Sequence, residues 1–289
     1  RSPSRGLGDV YKRQDQERGS IPAAINCTVP EVLADLQVGE RVLFDEGSIA
    51  GLIREVCPGV VEVEITQARP KGSRLRADKG INFPDSRLTI PALTSKDLTD
   101  LAFAAANADI VSYSFVSRST DIEFLQQQLE GHRREDLAVV LKIETRRAFL
   151  NLPSLLLTAM RYPRPLGVMI ARGDLAIECG WEELAEIQEE ILRICAAAHI
   201  PCIWATQVLD EMARHGIPTR AEITDAAMGA RAEAVMLNKG PNITATVRTL
   251  GAIVARFHPR QPESPRHREK LLSCLAFRTN SPGSERKET

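Results

Sequence analysis

The sequence lacks the features that mark several large classes of protein. It has no apolar run near the roughly 18 residues that a membrane-spanning helix needs, and no segment resembling a secretory signal peptide. It also lacks an excess of either charge, because 37 Lys and Arg stand against 38 Asp and Glu. That balance argues against a nucleic-acid footprint or a polybasic membrane patch. We therefore expect a cytoplasmic protein that binds neither nucleic acid nor membrane.

Paired cysteines are also absent. The six cysteines form no CxxC pair and have no regular spacing, which favours reduced thiols over a disulfide framework or a zinc site. These cysteines are Cys27, Cys57, Cys179, Cys195, Cys202 and Cys274.

The two ends of the chain differ from the rest. Residues 1–14 ("RSPSRGLGDVYKRQ") contain no initiator Met and no periodicity, so we interpret them as a non-native leader before a truncated reading frame. Residues 258–289 combine Pro, Ser and mixed charge, a composition typical of a mobile tail. The remainder is long enough for one large α/β domain or two smaller ones.

The pattern between Val38 and Phe83 predicts a small antiparallel sheet, which we call the β unit. Short alternating segments ("RVLFDEG", "SIAGLIREV", "VVEVEITQ") are separated by turn signals at Asp45–Gly47 and Pro58–Gly59, as in β-hairpins. We assign residues 15–85 to this domain and residues 86–257 to the one that follows.

After Pro91, apolar segments alternate with helical stretches. Five segments are separated by stretches of roughly 20 to 30 residues, the spacing of repeated βα units: "ADIVSYSFV", "LAVVLKIE", "LGVMIARGD", "IPCIWATQ" and "AEAVMLNKG". Between them, Thr219 and Glu222 predict a capping box, and one helical stripe is predicted to bury apolar side chains: Trp181, Leu184, Ile187, Ile191 and Ile194. The fold predicted is α/β, with a five-stranded parallel sheet.

Polar residues stand at the end of four of these segments, in the pairs Lys142 and Glu144, Arg172 and Asp174, Thr206 and Gln207, and Asn238 and Lys239. Taken singly, each is explained by a solvated loop. In a (β/α)8 barrel, however, catalytic side chains lie at the carboxyl ends of the strands. Two carboxylates on successive strand ends could hold Mg²⁺ through oxygen ligands.

Gly173 and Asp174 stand between an apolar strand and a helix. A glycine there allows close backbone approach, and amides at the start of a helix can face an anion. With a cation on the other side of Asp174, such a site would suit a small phosphorylated acid.

These residues carry a family resemblance: the stretch from about Val38 to Phe257 resembles pyruvate kinase. The similar motifs are "LKIET", "MIARGDLAIE", "IWATQVLDEM" and "PTRAEITDAAMGARAEAVML", with weaker matches at "FDEG" and "KGINFPDSRLTIPALTSKDLTDLAF". The resemblance implies an incomplete (β/α)8 TIM-type barrel of about five strands, with the β unit as the remainder of an inserted lid domain.

The implied activity is phosphoryl transfer from phosphoenolpyruvate to ADP, giving pyruvate and ATP in glycolysis. By resemblance, the catalytic residues would be Lys142, which stabilises the moving phosphoryl group, Thr206, and Arg172, which braces the site. Gly173, Asp174 and Thr206 would bind substrate, and Glu144 with Asp174 would ligate Mg²⁺ or Mn²⁺. The full-length parent is expected to be a homo-oligomer.

The chain also departs from the family's pattern. The first three barrel strands, the phosphate-gripping Arg, the ligands of K⁺ and the C-terminal regulatory domain are not matched, so we expect this chain to be inactive alone. The last strand ends "LNKGPN" rather than Ser-Gly-Glu-Thr; Lys239 there either supplies a charge or is simply solvated. Two alternatives stay open: a non-catalytic paralogue with a binding or regulatory role, and a metal-dependent lyase or aldolase on a related barrel.

Overall fold

The computed structural model describes residues 11–12, 24–70, 72–73, 75 and 79–257. Apart from Tyr11 and Lys12, the predicted leader lies outside the described residues, as does the whole predicted tail. Within the described part of the chain, no helix is both long and apolar enough to cross a membrane. No disulfide joins the cysteines of that part.

The chain divides into two compact units. The first comprises the residues up to Gln207 together with Ala232–Met236, and the second comprises Val208–Arg231 and the residues from Leu237 onward. Each unit is described separately below.

The first unit contains the predicted β unit. Three short elements precede it: an antiparallel pair formed by β1 (Tyr11–Lys12) and β2 (Ile25–Asn26), and a 3-10 helix (Pro30–Asp35). The β unit itself has four strands in the order β5-β4-β3-β6: β3 (Arg41–Phe44), β4 (Ile49–Cys57), β5 (Val60–Gln67) and β6 (Ile81–Asn82).

Alternation along these strands places their apolar side chains in one core, as the period of two requires. Val42, Phe44, Ile49 and Ile53 are buried together with side chains of the 3-10 helix. The β3–β4 hairpin turns through Asp45, Glu46 and Gly47, whose φ angles are 51°, 55° and 76°. The turn signals in the sequence therefore identified this hairpin correctly.

The first unit also contains the predicted parallel sheet, whose strand order is β11-β10-β9-β8-β7. Only Val208 and Leu237, the last residues of two strands, belong to the second unit. All five strands coincide with the apolar segments read from the sequence: β7 (Ile110–Tyr113), β8 (Ala138–Ile143), β9 (Leu166–Ala171), β10 (Cys202–Val208) and β11 (Ala234–Leu237).

The central strands of this sheet are almost wholly buried, as expected for a parallel sheet covered by helices. The register aligns Tyr113 with Leu141, and Lys142 with Met169, so the carboxyl ends of neighbouring strands lie at one edge. The helices of this unit are α1 (Ser95–Asn107), α2 (Ser119–Glu130), α3 (Arg146–Leu150), α4 (Leu152–Ala159), α5 (Arg172–Cys179) and α6 (Trp181–Ala197).

The predicted apolar stripe of α6 is only partly correct. Ile187 and Ile191 are buried, but Leu192 and Cys195 complete the buried face, whereas Trp181 is 69% exposed. Trp181 is the first residue of α6, directly after the turn at Gly180, so it precedes the buried part of the helix. The periodicity identified the helix but placed its first turn wrongly.

The described residues of the second unit form three helices, α7 (Asp210–His215), α8 (Arg220–Gly229) and α9 (Ile243–Phe257). The predicted capping box at Thr219 and Glu222 is present at the start of α8. In the "LNKGPN" segment, Asn238 donates its amide N–H to Asp210 at 3.1 Å, and Lys239 is exposed.

Gly240 and Gly251 of the second unit should respond oppositely to alanine. A Cβ at Gly240 would lie 2.2 Å from the Ala213 carbonyl oxygen, whereas one at Gly251, inside α9, meets no atom within 4 Å. Gly240→Ala should lower the free energy of unfolding by about 1 to 3 kcal/mol, and Gly251→Ala should raise it by about 1 kcal/mol. Urea unfolding measures both, and equal effects of the two changes would contradict the packing at Gly240.

Candidate active site

The site is built around Lys142 at the end of β8 and Glu144 just beyond it. The Lys142 Nζ lies 2.6 Å from the Glu144 Oε1, and the two side chains are 13% and 2% exposed. The Lys142 ammonium also donates to the Ser114 Oγ at 2.8 Å. The second carboxylate oxygen of Glu144 accepts the backbone N–H of Phe115 at 2.6 Å. Both predicted residues are thus largely buried and paired with each other.

Burial governs the protonation of the Glu144 carboxyl. Desolvation raises its pKa, while the nearby Lys142 ammonium opposes that change and the charge of Asp174 adds to it. Because the charge of Asp174 raises the Glu144 pKa, the two negative groups on successive strand ends act on one region. That region would be stabilised by an added cation.

Asp174 lies in the first turn of α5, directly after β9. Desolvation raises the pKa of its carboxyl, and the Lys142 charge and a side-chain hydrogen bond from Asn82 lower it. Asn82 belongs to the β unit and is itself buried. The helix expected after β9 is α5, and Gly180, with a φ of 88°, separates it from α6.

Gly173 and Thr206 are brought together across β9 and β10. The Gly173 N–H donates to the Thr206 Oγ1 at 2.9 Å, so that amide faces a hydroxyl rather than open space. Thr206 and Gln207 have φ angles of 69° and 55°. Left-handed backbone at two successive non-glycine residues costs energy and is concentrated at functional sites.

Arg172, the first residue of α5 directly after β9, contacts the end of β10 through its guanidinium. Its Nε donates to the Ala205 carbonyl at 2.8 Å and its Nη2 to the Thr206 carbonyl, while the guanidinium lies 4.6 Å from the centre of the Trp204 ring. These contacts hold the strained end of β10 against α5.

Other residues at the site carried no assignment in the sequence. Ser114 and Phe115 directly follow β7, and their position at a strand end could have marked them as candidate site residues. Glu178 lies one helical turn after Asp174, a spacing that places the two on one face. Gln207 donates to Glu46 of the β3–β4 turn at 3.4 Å, and no sequence spacing could predict that contact.

Glu178 is surrounded by charged groups from three parts of the unit. Burial raises its pKa to about 7, with Asp174 and Asp85 adding to the rise and Arg41 and Arg146 opposing it. Arg41 binds Asp85 through two side-chain bonds, at 2.6 and 2.9 Å. That pairing lowers the pKa of the Asp85 carboxyl.

Stability of the metal-free protein should therefore fall as pH rises from 5 to 8. A carboxyl whose folded-state pKa is raised stabilises the fold below its unfolded pKa, near 4.5, and loses that contribution as pH passes about 7. The loss from Glu178 alone is roughly 3 kcal/mol. Glu178→Gln keeps a neutral side chain, so its thermal midpoint at pH 8 should exceed the wild-type value by roughly 5 to 10 °C.

Thermal unfolding at pH 5, 6, 7 and 8 tests this expectation. The matched control is Glu182→Gln, which changes an exposed carboxylate at the start of α6 and should leave the pH dependence as in wild type. Parallel pH profiles for wild type and Glu178→Gln would show that Glu178 does not titrate in this range.

The donor set fits a hard divalent cation in part. Glu144 and Asp174 offer carboxylate oxygens, the ligands that Mg²⁺ and Mn²⁺ prefer, and the charge of Asp174 acts on the buried Glu144 carboxyl. Among the described residues, no group of three or more His, Cys, Asp and Glu side chains is clustered for metal binding. Such an ion would therefore need water or substrate oxygens to complete its coordination.

Comparison with known proteins adds independent information. A model of the family described as "Pyruvate kinase, barrel domain" matches residues 10–242, so five residues of the predicted leader, 10–14, fall inside the match. The pyruvate kinase of Geobacillus stearothermophilus is 34% identical over 207 residues, covering 71% of this chain and 34% of that protein.

Two further relatives are similar. The plastidial pyruvate kinase 3 of Arabidopsis thaliana is 32% identical over 76% of this chain and 37% of its own length. The pyruvate kinase of Mycobacterium intracellulare is 30% identical over 83% of this chain and 50% of its own length. The chain therefore spans about a third to a half of the curated relatives that it matches.

Proposed function

Because the chain belongs to the pyruvate kinase family, we propose that it contributes to phosphoryl transfer from phosphoenolpyruvate to ADP at the site around Lys142. The observation that carries this proposal is the buried ammonium of Lys142, held 2.6 Å from Glu144 and within the electrostatic reach of Asp174. Phosphoryl transfer depends mainly on positioning and charge stabilisation, and this cluster offers both.

In the proposed reaction, the bond between phosphorus and the enol oxygen breaks. A β-phosphate oxygen of ADP forms the new bond, and the departing enolate takes up a proton to become pyruvate. The Lys142 ammonium would stabilise negative charge on the moving phosphoryl group, because a fixed cation in a partly desolvated site interacts strongly with developing charge.

Glu144 and Asp174 are the residues proposed to hold Mg²⁺ or Mn²⁺. When bound, the ion would supply positive charge to the substrate's phosphate and carboxylate oxygens. Thr206 is proposed to bind the carboxylate and enolate region through its hydroxyl hydrogen, since its oxygen already accepts the Gly173 N–H. Arg172 is proposed to act indirectly, by bracing Thr206 through its carbonyl.

The surroundings of the reaction are also proposals. We propose a homo-oligomeric full-length protein, a cytoplasmic location and K⁺ as a second cation whose ligands are not among the motifs matched in this chain. The name of the Arabidopsis relative places that protein in a plastid, so location varies within the family and needs its own measurement.

An assay of pyruvate release tests the proposal and both alternatives. The protein, in the full form that its gene encodes, is given phosphoenolpyruvate, Mg²⁺ and K⁺ with or without ADP. Pyruvate formation that requires ADP and yields equimolar ATP supports the proposed function. Pyruvate release without ADP would favour a lyase, and binding of phosphoenolpyruvate without turnover would favour a non-catalytic paralogue.

A further inference from the structure

The residues that follow β7 contact both charged groups at the centre of the site. Ser114 accepts a hydrogen bond from the Lys142 ammonium at 2.8 Å, and Phe115 donates its backbone N–H to the Glu144 carboxylate at 2.6 Å. We propose that Ser114 and Phe115 are positioning residues, which orient Lys142 and Glu144 for the reaction proposed above. This inference rests on that function for its kinetic consequence and on the two contacts for its geometry.

The Lys142 ammonium has a second partner besides Glu144, the Ser114 hydroxyl. A buried ammonium 2.6 Å from a carboxylate is attracted strongly to it, because little water screens the pair. An ammonium has three N–H donors. The Ser114 hydroxyl takes one of them, so Lys142 is held between β7 and Glu144 instead of folding wholly onto the carboxylate.

Phe115 fixes the other oxygen of Glu144. Its φ of 54° is a left-handed conformation that costs a non-glycine residue on the order of 1 to 3 kcal/mol. That conformation accompanies the hydrogen bond from its N–H to the carboxylate, and hydrogen bonds to an ionised group are the stronger kind. The strained residue thus occurs where one side chain of the site must be held.

Hydrogen bonds also anchor the chain just beyond Phe115. The backbone N–H groups of Ser117 and Arg118 both donate to the Asp121 Oδ2, at 2.9 and 2.8 Å. The Asn151 amide donates to the Ser117 carbonyl at 2.8 Å. A segment tied to α2 and to Asn151, which lies between α3 and α4, can hold Ser114 and Phe115 in fixed positions against Lys142 and Glu144.

The two hydrogen-bonded partners of Glu144 leave its carboxylate able to bind a metal ion as well. The Lys142 Nζ and the Phe115 N–H use different oxygens of Glu144, and each carboxylate oxygen has a second lone pair. Removing the Ser114 hydroxyl should therefore disturb Lys142 without removing a metal ligand.

Ser114→Ala is the variant that tests the inference. In the full form that the gene encodes, we expect kcat for ADP-dependent pyruvate formation to fall about tenfold, with the KM for phosphoenolpyruvate changed less than twofold, because a mispositioned Lys142 weakens an interaction made mainly in the transition state. The affinity for Mn²⁺, measured by electron paramagnetic resonance, should stay within twofold of wild type. Ser114→Thr keeps a hydroxyl and should restore most of kcat.

The matched control is Ser112→Ala, which makes the same chemical change at an exposed residue of β7 and should leave kcat and KM as in wild type. Equal kinetic constants for Ser114→Ala and Ser112→Ala would overturn the inference. So would a failure of Ser114→Thr to exceed Ser114→Ala.

A measurement without turnover separates this inference from the proposed function. In protein labelled with ¹⁵N-lysine, the Nζ signal that Lys142→Met removes is assigned to Lys142. That signal should shift in Ser114→Ala and not in Ser112→Ala. An unshifted signal would overturn the contact even in an active enzyme, whereas a shifted signal in a protein without ADP-dependent turnover would refute only the proposed function.

Discussion

Replacing Lys142 with methionine in the full form that the gene encodes should lower kcat for ADP-dependent pyruvate formation by about 10²- to 10³-fold. Loss of one fixed group that stabilises transition-state charge has an effect of this size, and the largely buried Lys142 ammonium pairs with Glu144 and lowers the pKa of Asp174. Binding of phosphoenolpyruvate should change much less, because the interaction is strongest when the phosphoryl group is in transfer.

Binding of Mn²⁺ should survive this change. Glu144 and Asp174 are both retained, and the variant lacks a cation that competes for the same carboxylate. Lys96→Met is the matched control: it removes an ammonium from the surface of α1, where Lys96 pairs with Asp100, and should leave kcat within twofold of wild type. Turnover of Lys142→Met at the wild-type rate would show that another group neutralises the phosphoryl charge.

Glu144→Gln should weaken Mn²⁺ binding by about a hundredfold or more and abolish most turnover with it. The substitution keeps the size of the side chain but removes the negative charge, which a hard cation requires of its carboxylate ligand. Residues that merely support a metal ligand contribute about 10- to 100-fold in affinity, so a ligand should contribute at least as much. Titration of the variant with Mn²⁺, followed by electron paramagnetic resonance, measures the loss directly.

The exposed Glu182→Gln variant serves as the control for this experiment too, and its Mn²⁺ affinity should equal that of wild type. A Glu144→Gln protein that binds Mn²⁺ normally would remove Glu144 from the metal site. In that outcome, the close pair with Lys142 would have a structural role only.

Most of the first unit's architecture was predictable because local patterns encode it. Period-two alternation marked the antiparallel strands of the β unit, and five continuous apolar segments marked the strands of the parallel sheet. One wrong prediction in this unit has a local cause. Trp181 fits a helical stripe by spacing, yet it stands at the first residue of α6, where the turn at Gly180 leaves it exposed.

The candidate site was predictable only in part. Lys142, Glu144 and Asp174 follow apolar segments, and the carboxyl ends of parallel strands meet at one edge, so their proximity could be expected from the order of the elements. Ser114 and Phe115 also follow a strand, but their contacts depend on a left-handed backbone at Phe115, which nothing in a Ser-Phe dipeptide requires.

The amino-acid order alone was enough to predict strands β3–β5 of the β unit, the five strands of the parallel sheet, their hairpin turns and the candidate Lys142, Glu144 and Asp174, because burial periodicity and turn chemistry act over a few neighbouring residues. The short strands β1, β2 and β6 and the 3-10 helix were not predicted. The tertiary structure determined which side chains and backbone groups are in contact. It placed Lys142 between Ser114 and Glu144, set Asn82 and Asp85 near the acidic face of α5, and directed the Gly173 amide to Thr206. These outcomes depend on desolvation and on contacts between residues distant in sequence, and neither quantity is a property of any short segment.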